Sequence, residues 1–192
     1  MDWGTRVFWG LLAVLLGASV FFARGAASQR ALAKAAEATL ENGDLVKITQ
    51  VVDGDSVVAE NEGGDKVGIR LLGVKSLSPN PERDAAARFG REAGAQLARL
   101  VKDEPVCVRS PAQSKGRRGR KVATLFGGDE DLGLSLIRRG LALAYTVYPV
   151  PTMQLYLDAQ EDAEAAERGL WSDTDVAARA RQMSKEWRRA AK

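Results

Sequence analysis

The sequence contains no histidine and only one cysteine among its 192 residues. Without histidine, the chain cannot form a Ser-His-Asp or Cys-His catalytic pair, an HExxH zinc site or a Cys₂His₂ zinc finger. Any acid–base or metal chemistry must therefore use other side chains. The single cysteine, Cys107, cannot close an internal disulfide, and we predict that it is a buried packing residue.

Aromatic residues are also few, at 6%, and the formal net charge is only +3. A net charge this small does not by itself indicate a nucleic-acid partner, so the distribution of the charges matters more than their sum. The hydrophobic fraction of 45% is sufficient for a packed core. The length suits one domain with an appendage.

The first uncharged stretch of the chain runs from Val7 to Ala23, and its length is at the short end of what spans a bilayer. We therefore predict that residues 1–23 are a single-pass membrane anchor. A cleaved signal peptide is the alternative, because small residues follow at 25–27, although Arg24 lies where a cleavage region is normally uncharged. The basic residues after the stretch favour a cytoplasmic or matrix-side body. A bacterial inner membrane and a mitochondrial inner membrane both fit.

Two segments flank the predicted domain. Residues 24–43 are rich in alanine, which has high helix propensity, and predict a helical stalk. The domain itself is predicted over residues 44–173. Residues 174–192 predict a basic terminal helix, centred on Asp175–Ala191, and both flanking segments offer docking surfaces for a partner.

The domain begins with β-structure and ends with helices. Segments rich in β-branched residues and bounded by turn signals predict five strands: Leu45–Val52, Ser56–Ala59, Lys66–Val74, Pro105–Arg109 and Lys121–Phe126. Helical spacing of apolar residues and glycine stop signals predict three helices: Asp84–Val101, Asp131–Arg139 and Met153–Arg168. Six residues are predicted to belong to the core: Leu132, Leu134, Leu136, Ile137, Leu141 and Trp171. This order favours an α+β fold with a small closed barrel of OB type and helices packed on it.

Six segments in this order carry a family resemblance: VVDGDSV (51–57), IRLLGV (69–74), FGREA (89–93), GRKVA (119–123), DLGLSLIRRGLA (131–142) and RGLWS (168–172). Together they resemble the staphylococcal nuclease family over about Leu45–Asp173. The resemblance implies a five-stranded OB-type barrel with three helices, in agreement with the pattern above. It also implies a calcium-dependent phosphodiesterase that acts on DNA or RNA.

The resemblance further implies the roles of individual residues. In the family, carboxylates of the DGD turn and of a loop after the third strand hold calcium, and a glutamate of that loop is the general base. Two arginines bind the scissile phosphate, for which a permanently charged, bidentate group is suited. Asp55 and Asp53 correspond to the carboxylates of the turn, and Arg70 and Arg120 correspond to the two arginines.

The loop after the third strand departs from the family pattern. Where the family has Asp-Thr-Pro-Glu, this sequence reads Lys75-Ser76-Leu77-Ser78, so Lys75 stands at a metal-ligand position and Ser78 at the position of the base. A lysine there repels calcium and is expected to pair with Asp55 or Asp53. A serine without a histidine partner is not a base near neutral pH. Glu82 could compensate only in a rearranged loop, so we expect no cofactor, or calcium if the domain is active.

A basic run precedes the last predicted strand, and it contains five cations without an acid: Lys115, Arg117, Arg118, Arg120 and Lys121. Such a run is typical of a solvated loop, but it also fits a phosphate backbone or an acidic partner. Arg118 stands where the family usually has a tyrosine. Tyr145 and Tyr148 lie near the edge where the family places nucleotide-contacting tyrosines.

Three functions follow as hypotheses. The leading one is a membrane-anchored, catalytically inactive domain that serves as a structural or binding subunit of a membrane complex. The second is an active calcium-dependent nuclease, which would use Asp55, Arg70 and Arg120 with Glu82 compensating. The third is a domain that binds nucleic acid without cleaving it.

Overall fold

A computed structural model of the chain describes residues 9, 40–80, 84–102, 104–109, 120–148 and 150–191. Within these residues the strands are β1 (Leu45–Asp53), β2 (Ser56–Glu60), β3 (Lys66–Leu71), β4 (Val74–Ser76), β5 (Val106–Arg109), β6 (Lys121–Gly127), β7 (Glu130–Asp131) and β8 (Ala142–Ala144). The α-helices are α1 (Ala85–Leu100), α2 (Leu132–Arg138), α3 (Met153–Ala165) and α4 (Thr174–Ala190). A 3₁₀ turn occupies Gly169–Ser172.

Five of the strands close into a barrel. The antiparallel order β3-β2-β1-β5-β6 is completed by parallel pairing of β3 with β6, in which Arg70 lies opposite Val122. Closure leaves these strands paired around the ring, which is how small OB-type barrels limit exposed edges. The predicted five-stranded barrel with packed helices is thereby confirmed.

The core lies inside the barrel and beneath α2. Inward-facing strand residues such as Val57, Ile69 and Leu125 are fully buried, as expected for alternating side chains on strands with one face inward. All six predicted core residues are buried as well. Cys107 is only half-buried, so the prediction that it packs in the core is wrong.

The third predicted strand is not continuous to Val74. Leu72 and Gly73 form a turn in which Gly73 adopts a φ of 70°, a conformation that favours glycine. The chain resumes as β4, which pairs antiparallel with β8 and places Lys75 opposite Leu143. The two short strands β7 and β8 were not predicted, because two or three residues carry no readable periodicity.

Helix α3 ends at Ala165 rather than at Arg168, and α4 begins at Thr174. Asp173 caps α4 by accepting a hydrogen bond from the Val176 amide at 3.1 Å. The helix buries Val176, Ala177 and Ala180 against a small apolar cluster that contains Phe89 and Trp171. The terminal helix therefore packs on the body of the domain.

The predicted anchor and stalk fall largely outside the described residues. Among the residues that the structure does describe, no helix is both long enough and apolar enough to cross a membrane.

Candidate functional site

The turn between β1 and β2 carries the two aspartates of the predicted site. The Asp53 carboxylate accepts a hydrogen bond from the Asp55 amide at 2.9 Å, which is the geometry of an Asx turn. A Cβ added at Gly54 would collide with Ala93 on α1 and lie 2.8 Å from the Cβ of Ser76. Only glycine therefore lets the turn sit between α1 and β4.

Asp55 is buried, with 1% of its surface exposed, and four donors reach its carboxylate. Oδ2 accepts from the Lys75 ammonium at 2.9 Å, from Arg70 Nη2 at 3.4 Å and from the Ser76 amide at 3.0 Å. Oδ1 accepts from the Ser56 hydroxyl at 2.9 Å. We call Asp53, Asp55, Arg70 and Lys75 the Asp55 cluster.

Strand pairing brings these side chains together. In the β2–β3 ladder Ser56 lies opposite Arg70, so the arginine starts beside the turn. The Leu71 amide donates to the Asp55 carbonyl at 2.9 Å, which fixes the end of β3 against the same turn. Pairing of β4 with β8 then holds Lys75 at the same carboxylate oxygen, Oδ2 of Asp55. The ion pair that the sequence predicts for Lys75 is therefore present.

The two aspartates differ in their electrostatics. Burial by itself would raise the pKa of Asp55, but the charges of Lys75 and Arg70 and the hydrogen bonds from Lys75 and Ser56 outweigh it, so this pKa is lowered. Burial, followed by the negative charge of Asp55, raises the pKa of Asp53. The fold thus stabilises the ionised form of Asp55 and destabilises the ionised form of Asp53.

The residues present do not fit a calcium ion. Oδ2 of Asp55, with its two lone pairs, already accepts from three donors, so it has no free site for a metal ion. Calcium takes six to eight oxygen ligands, but an ammonium group already lies against Oδ2 at 2.9 Å. Across the described ranges there is no group of three or more acidic, histidine or cysteine side chains that could hold a metal.

Ser78 is exposed and takes part in a local turn. Its hydroxyl donates to the Asn80 carbonyl at 2.6 Å and accepts from the Asn80 amide at 3.3 Å. The loop rests on Gly90 of α1, where an added Cβ would meet the Leu77 carbonyl. This hydroxyl is therefore committed to loop structure rather than to the Asp55 cluster. Glu82, proposed as the compensating acid, lies outside the described residues.

The predicted phosphate-binding residues are only partly described. Arg120 precedes β6 by one residue and lies two before Val122, the residue opposite Arg70. Lys121 is half-buried at the start of β6. Lys115, Arg117 and Arg118 lie outside the described residues.

An aromatic group lies next to β8. Tyr148 is 61% exposed and contacts Tyr145 edge-on, with 6.0 Å between the ring centroids. Tyr145 also packs edge-on against Trp187 of α4 at 5.0 Å. Sequence reasoning missed this contact and the two serine donors to Asp55, because each depends on segments that only the fold brings together.

The chain matches the family model described as "Staphylococcal nuclease homologue" over residues 68–173, more than half of its length. It is 29% identical to an "Uncharacterized endonuclease" of Haemophilus influenzae over 129 residues, which cover 67% of each chain. It is 26% identical to a "Thermonuclease" of Staphylococcus hyicus, over 73% of this chain and 83% of the relative. A "Micrococcal nuclease" of Shigella flexneri is 28% identical, over 76% of this chain and 81% of the relative. With the closed barrel and the DGD turn in place, the chain belongs to the family of staphylococcal nuclease homologues.

Proposed function

We propose that this chain is a membrane-anchored staphylococcal nuclease homologue that does not cleave nucleic acid and serves as a structural or binding subunit of a membrane complex. One observation carries the proposal. The Lys75 ammonium lies 2.9 Å from Asp55 Oδ2, where a family member would need a carboxylate and a metal ion.

The chemistry of the site supports this proposal in two steps. Lys75 replaces a negative ligand by a positive charge, so a divalent cation approaching Asp55 meets repulsion instead of attraction. The position of the base is held by Ser78, whose hydroxyl is bonded to Asn80 at the surface. Phosphodiester hydrolysis needs both a stabilised transition-state charge and an activated water, and these substitutions weaken both.

The membrane and partner parts of the proposal rest on the sequence. The uncharged Val7–Ala23 segment supports a single-pass anchor in a bacterial or mitochondrial inner membrane. Sodium carbonate washing of membranes that contain the full chain tests the anchor. The protein should stay in the membrane pellet, and its release into the wash would contradict anchoring.

A nuclease assay on plasmid DNA and on RNA, with calcium or with EDTA, tests the loss of catalysis. We expect no calcium-dependent cleavage by the full chain. Cleavage that needs calcium and disappears in Arg70→Ala would overturn the proposal and establish an active nuclease.

Restoring the carboxylates tests the role of Lys75 directly. The double variant Lys75→Asp/Ser78→Glu should gain calcium binding in the ~millimolar range, measured by calorimetry. The control Lys66→Asp makes the same Lys-to-Asp change, which is two of the three charge units, at the far end of β3 and should gain none. Calcium binding by the unmodified chain equal to that of the double variant would show that Lys75 does not block the site.

A second candidate function is nucleic-acid binding without cleavage. Two observations favour it: Arg120 lies two residues before Val122, the ladder partner of Arg70, and Tyr148 is exposed. Fluorescence anisotropy with a single-stranded oligonucleotide in EDTA should then show an affinity that falls with salt and with neutralisation of Lys115, Arg117 and Arg118. Binding that is absent or insensitive to salt would exclude this candidate.

A further inference from the structure

The stretch that joins β8 to α3 carries no charged side chain. From Leu141 to Leu157 the sequence is uncharged, although charged residues make up 28% of the protein. Part of this stretch lies in the core, but Tyr148 is 61% exposed and Leu155 is 45% exposed. Pro151, between them, is exposed as well. We call Tyr148, Pro151 and Leu155 the Tyr148 surface.

The fold holds the backbone of this stretch on both sides of Tyr148. The Tyr145 amide donates to the Gly73 carbonyl at 2.8 Å, and the Met153 amide donates to the Val150 carbonyl at 3.0 Å. A Cβ added at Gly73 would lie 3.2 Å from Val150 Cγ2, so Val150 packs against the turn between β3 and β4. The exposed apolar side chains are therefore carried by a segment that is packed on the domain.

The basic end of α4 lies beside this surface. The Trp187 ring packs edge-on against Tyr145 at 5.0 Å, and Tyr145 contacts Tyr148 at 6.0 Å. Three exposed cations flank Trp187 along α4: Lys185, Arg188 and Arg189. Within the described part of the chain, no ion pair involves any of the three. Aromatic rings thus connect an uncharged surface to a group of unpaired cations.

Acidic residues border the same region. Glu186 precedes Trp187 on α4, and Asp158 ends the uncharged stretch on α3. Each is hydrogen-bonded to a glutamine one turn earlier, a neutral donor that leaves the negative charge in place. Glu161 and Asp162 lie one turn further along α3. Positive charge is thus concentrated on the α4 side and negative charge on the α3 side, so a partner must be matched mainly by apolar and aromatic contact.

We propose that the Tyr148 surface, together with Trp187, rests in the headgroup layer of a phospholipid bilayer. Tyrosine and tryptophan rings favour this layer because each has an apolar body and a polar group. The leucine and the proline add apolar area that the layer can bury. Lipid phosphates match the cations of α4, and the ammonium groups of zwitterionic headgroups match the acids of α3, so both signs of charge find partners there.

This inference rests on the proposed membrane anchor and adds a second, peripheral contact to it. The predicted stalk of residues 24–43 would be about 30 Å long as a helix, so it keeps the domain within reach of the bilayer. Tethering raises the effective concentration of the surface at the bilayer, so a weak interfacial contact is sufficient. The contact involves no residue of the Asp55 cluster, and a nuclease assay does not test it.

The test places the full chain in vesicles of phosphatidylcholine and phosphatidylglycerol. The variant Cys107→Ser/Gln154→Cys leaves one thiol, next to Leu155, for labelling with the fluorophore NBD. Lipids that carry a doxyl group on the acyl chain should quench this label, and its emission should shift to the blue. A label at Glu62→Cys, in the β2–β3 hairpin of the same Cys107→Ser background, should be quenched at least about threefold less.

Further variants keep the test specific. Tyr148→Ser/Leu155→Ser should lower quenching of the label at residue 154 by at least about threefold. The matched control Leu45→Ser removes another exposed leucine, 51% exposed on β1, and should change nothing. Arg188→Gln/Arg189→Gln should lower quenching at low salt in the anionic vesicles but not in pure phosphatidylcholine.

The carbonate wash described above separates this inference from the anchor, because a chain that leaves the membrane can be labelled and added to vesicles from outside. Equal quenching of the two labels, or no quenching at residue 154, would overturn the proposal. So would quenching that Tyr148→Ser/Leu155→Ser leaves unchanged. Quenching that a single-stranded oligonucleotide abolishes would assign the surface to nucleic acid and would also overturn it.

Discussion

Asp55 and Asp131 are both aspartates at the ends of loops, yet the molecule holds them by different means. Asp55 is surrounded by charge, with Lys75 and Arg70 on one oxygen. Asp131 is held by neutral donors: its Oδ1 accepts from the Leu134 amide at 3.0 Å and its Oδ2 from the Tyr156 hydroxyl at 2.7 Å. The first arrangement neutralises a buried carboxylate with two cations, whereas the second caps α2 and joins it to α3.

The difference determines what each contact contributes. Removing one partner of a buried ion pair leaves a charge without compensation, which costs several kcal/mol. Removing one neutral donor leaves an unsatisfied acceptor, which costs less. We therefore expect substitution of Lys75 to change the free energy of unfolding most, substitution of Tyr156 to change it moderately and substitution of Asp53 to change it least.

The largest effect is expected for Lys75→Met. It leaves Asp55 buried with Arg70 at 3.4 Å as its remaining charged partner, so we expect a loss of about 2–3 kcal/mol in the free energy of unfolding. Urea unfolding of the full chain in detergent measures this loss. The double variant Asp55→Asn/Lys75→Met should recover much of it, because neither charge remains. An unchanged midpoint in Lys75→Met would show that the ion pair is not a structural substitute for a metal.

A moderate effect is expected for Tyr156→Phe, which removes one hydrogen bond to Asp131 and should cost about 1 kcal/mol. Burial, with the adjacent Asp131 charge, raises the pKa of the Tyr156 phenol above its ordinary value of 10.0. A raised pKa means that the contribution of Tyr156 is fully present below pH 10 and is lost as the pH rises further. The difference in stability between the two proteins should therefore be constant near neutral pH. A difference that already declines below pH 9 would contradict this assignment.

The smallest change in the free energy of unfolding is expected for Asp53→Asn. Unlike the two variants above, it should stabilise the fold. The asparagine oxygen can still accept the bond from the Asp55 amide, while the repulsion from Asp55 is removed, so a gain of about 0.5 kcal/mol is expected at pH 7. Because the pKa of Asp53 is raised in the folded state, protonated Asp53 contributes to stability below the ordinary pKa of 3.8. This contribution is lost as the pH rises through the folded-state pKa. The gain should thus appear at pH 7 and vanish near pH 3. Thermal melts at both pH values measure it, and a loss at pH 7 would mean that the charge itself supports the turn.

Asp55 has the opposite pH dependence. Its lowered pKa gives stability that is present above the ordinary value of 3.8 and is lost as the pH falls through the folded-state value. The two neighbouring aspartates therefore offset each other in acid titration, and only single variants separate their contributions.

Much of the barrel could be predicted because its strands carry their own signals. β1, β2 and β6 contain β-branched residues and are bounded by turn signals, so each strand can be predicted from its own segment of sequence. The DGD turn could also be predicted, as could the lysine at position 75 where the family has an aspartate. Both depend on which residue stands at a fixed spacing in the sequence. The ion pair of Lys75 with Asp55 or Asp53 followed from the family resemblance, which placed the lysine beside the turn; the structure selects Asp55.

Other features depend on contacts between distant segments. β4 exists because β8 pairs with it, and three residues in isolation have no strand preference to detect. Ser76 donates to Asp55 only because β4 lies beside the DGD turn. Trp187 reaches Tyr145 only because α4 folds back onto the cluster around Phe89 and Trp171.

The sequence by itself determined the barrel, the family and the presence of a lysine beside the DGD turn, because these depend on local periodicity and on which residue stands at each motif position. Only the tertiary structure decided that three donors converge on Oδ2 of Asp55 and that Ser78 is held in a surface turn. It also decided that β5 pairs with β1 only at Leu45 and Val46. Each of these depends on distances between atoms from separate strands and helices, and packing sets such distances.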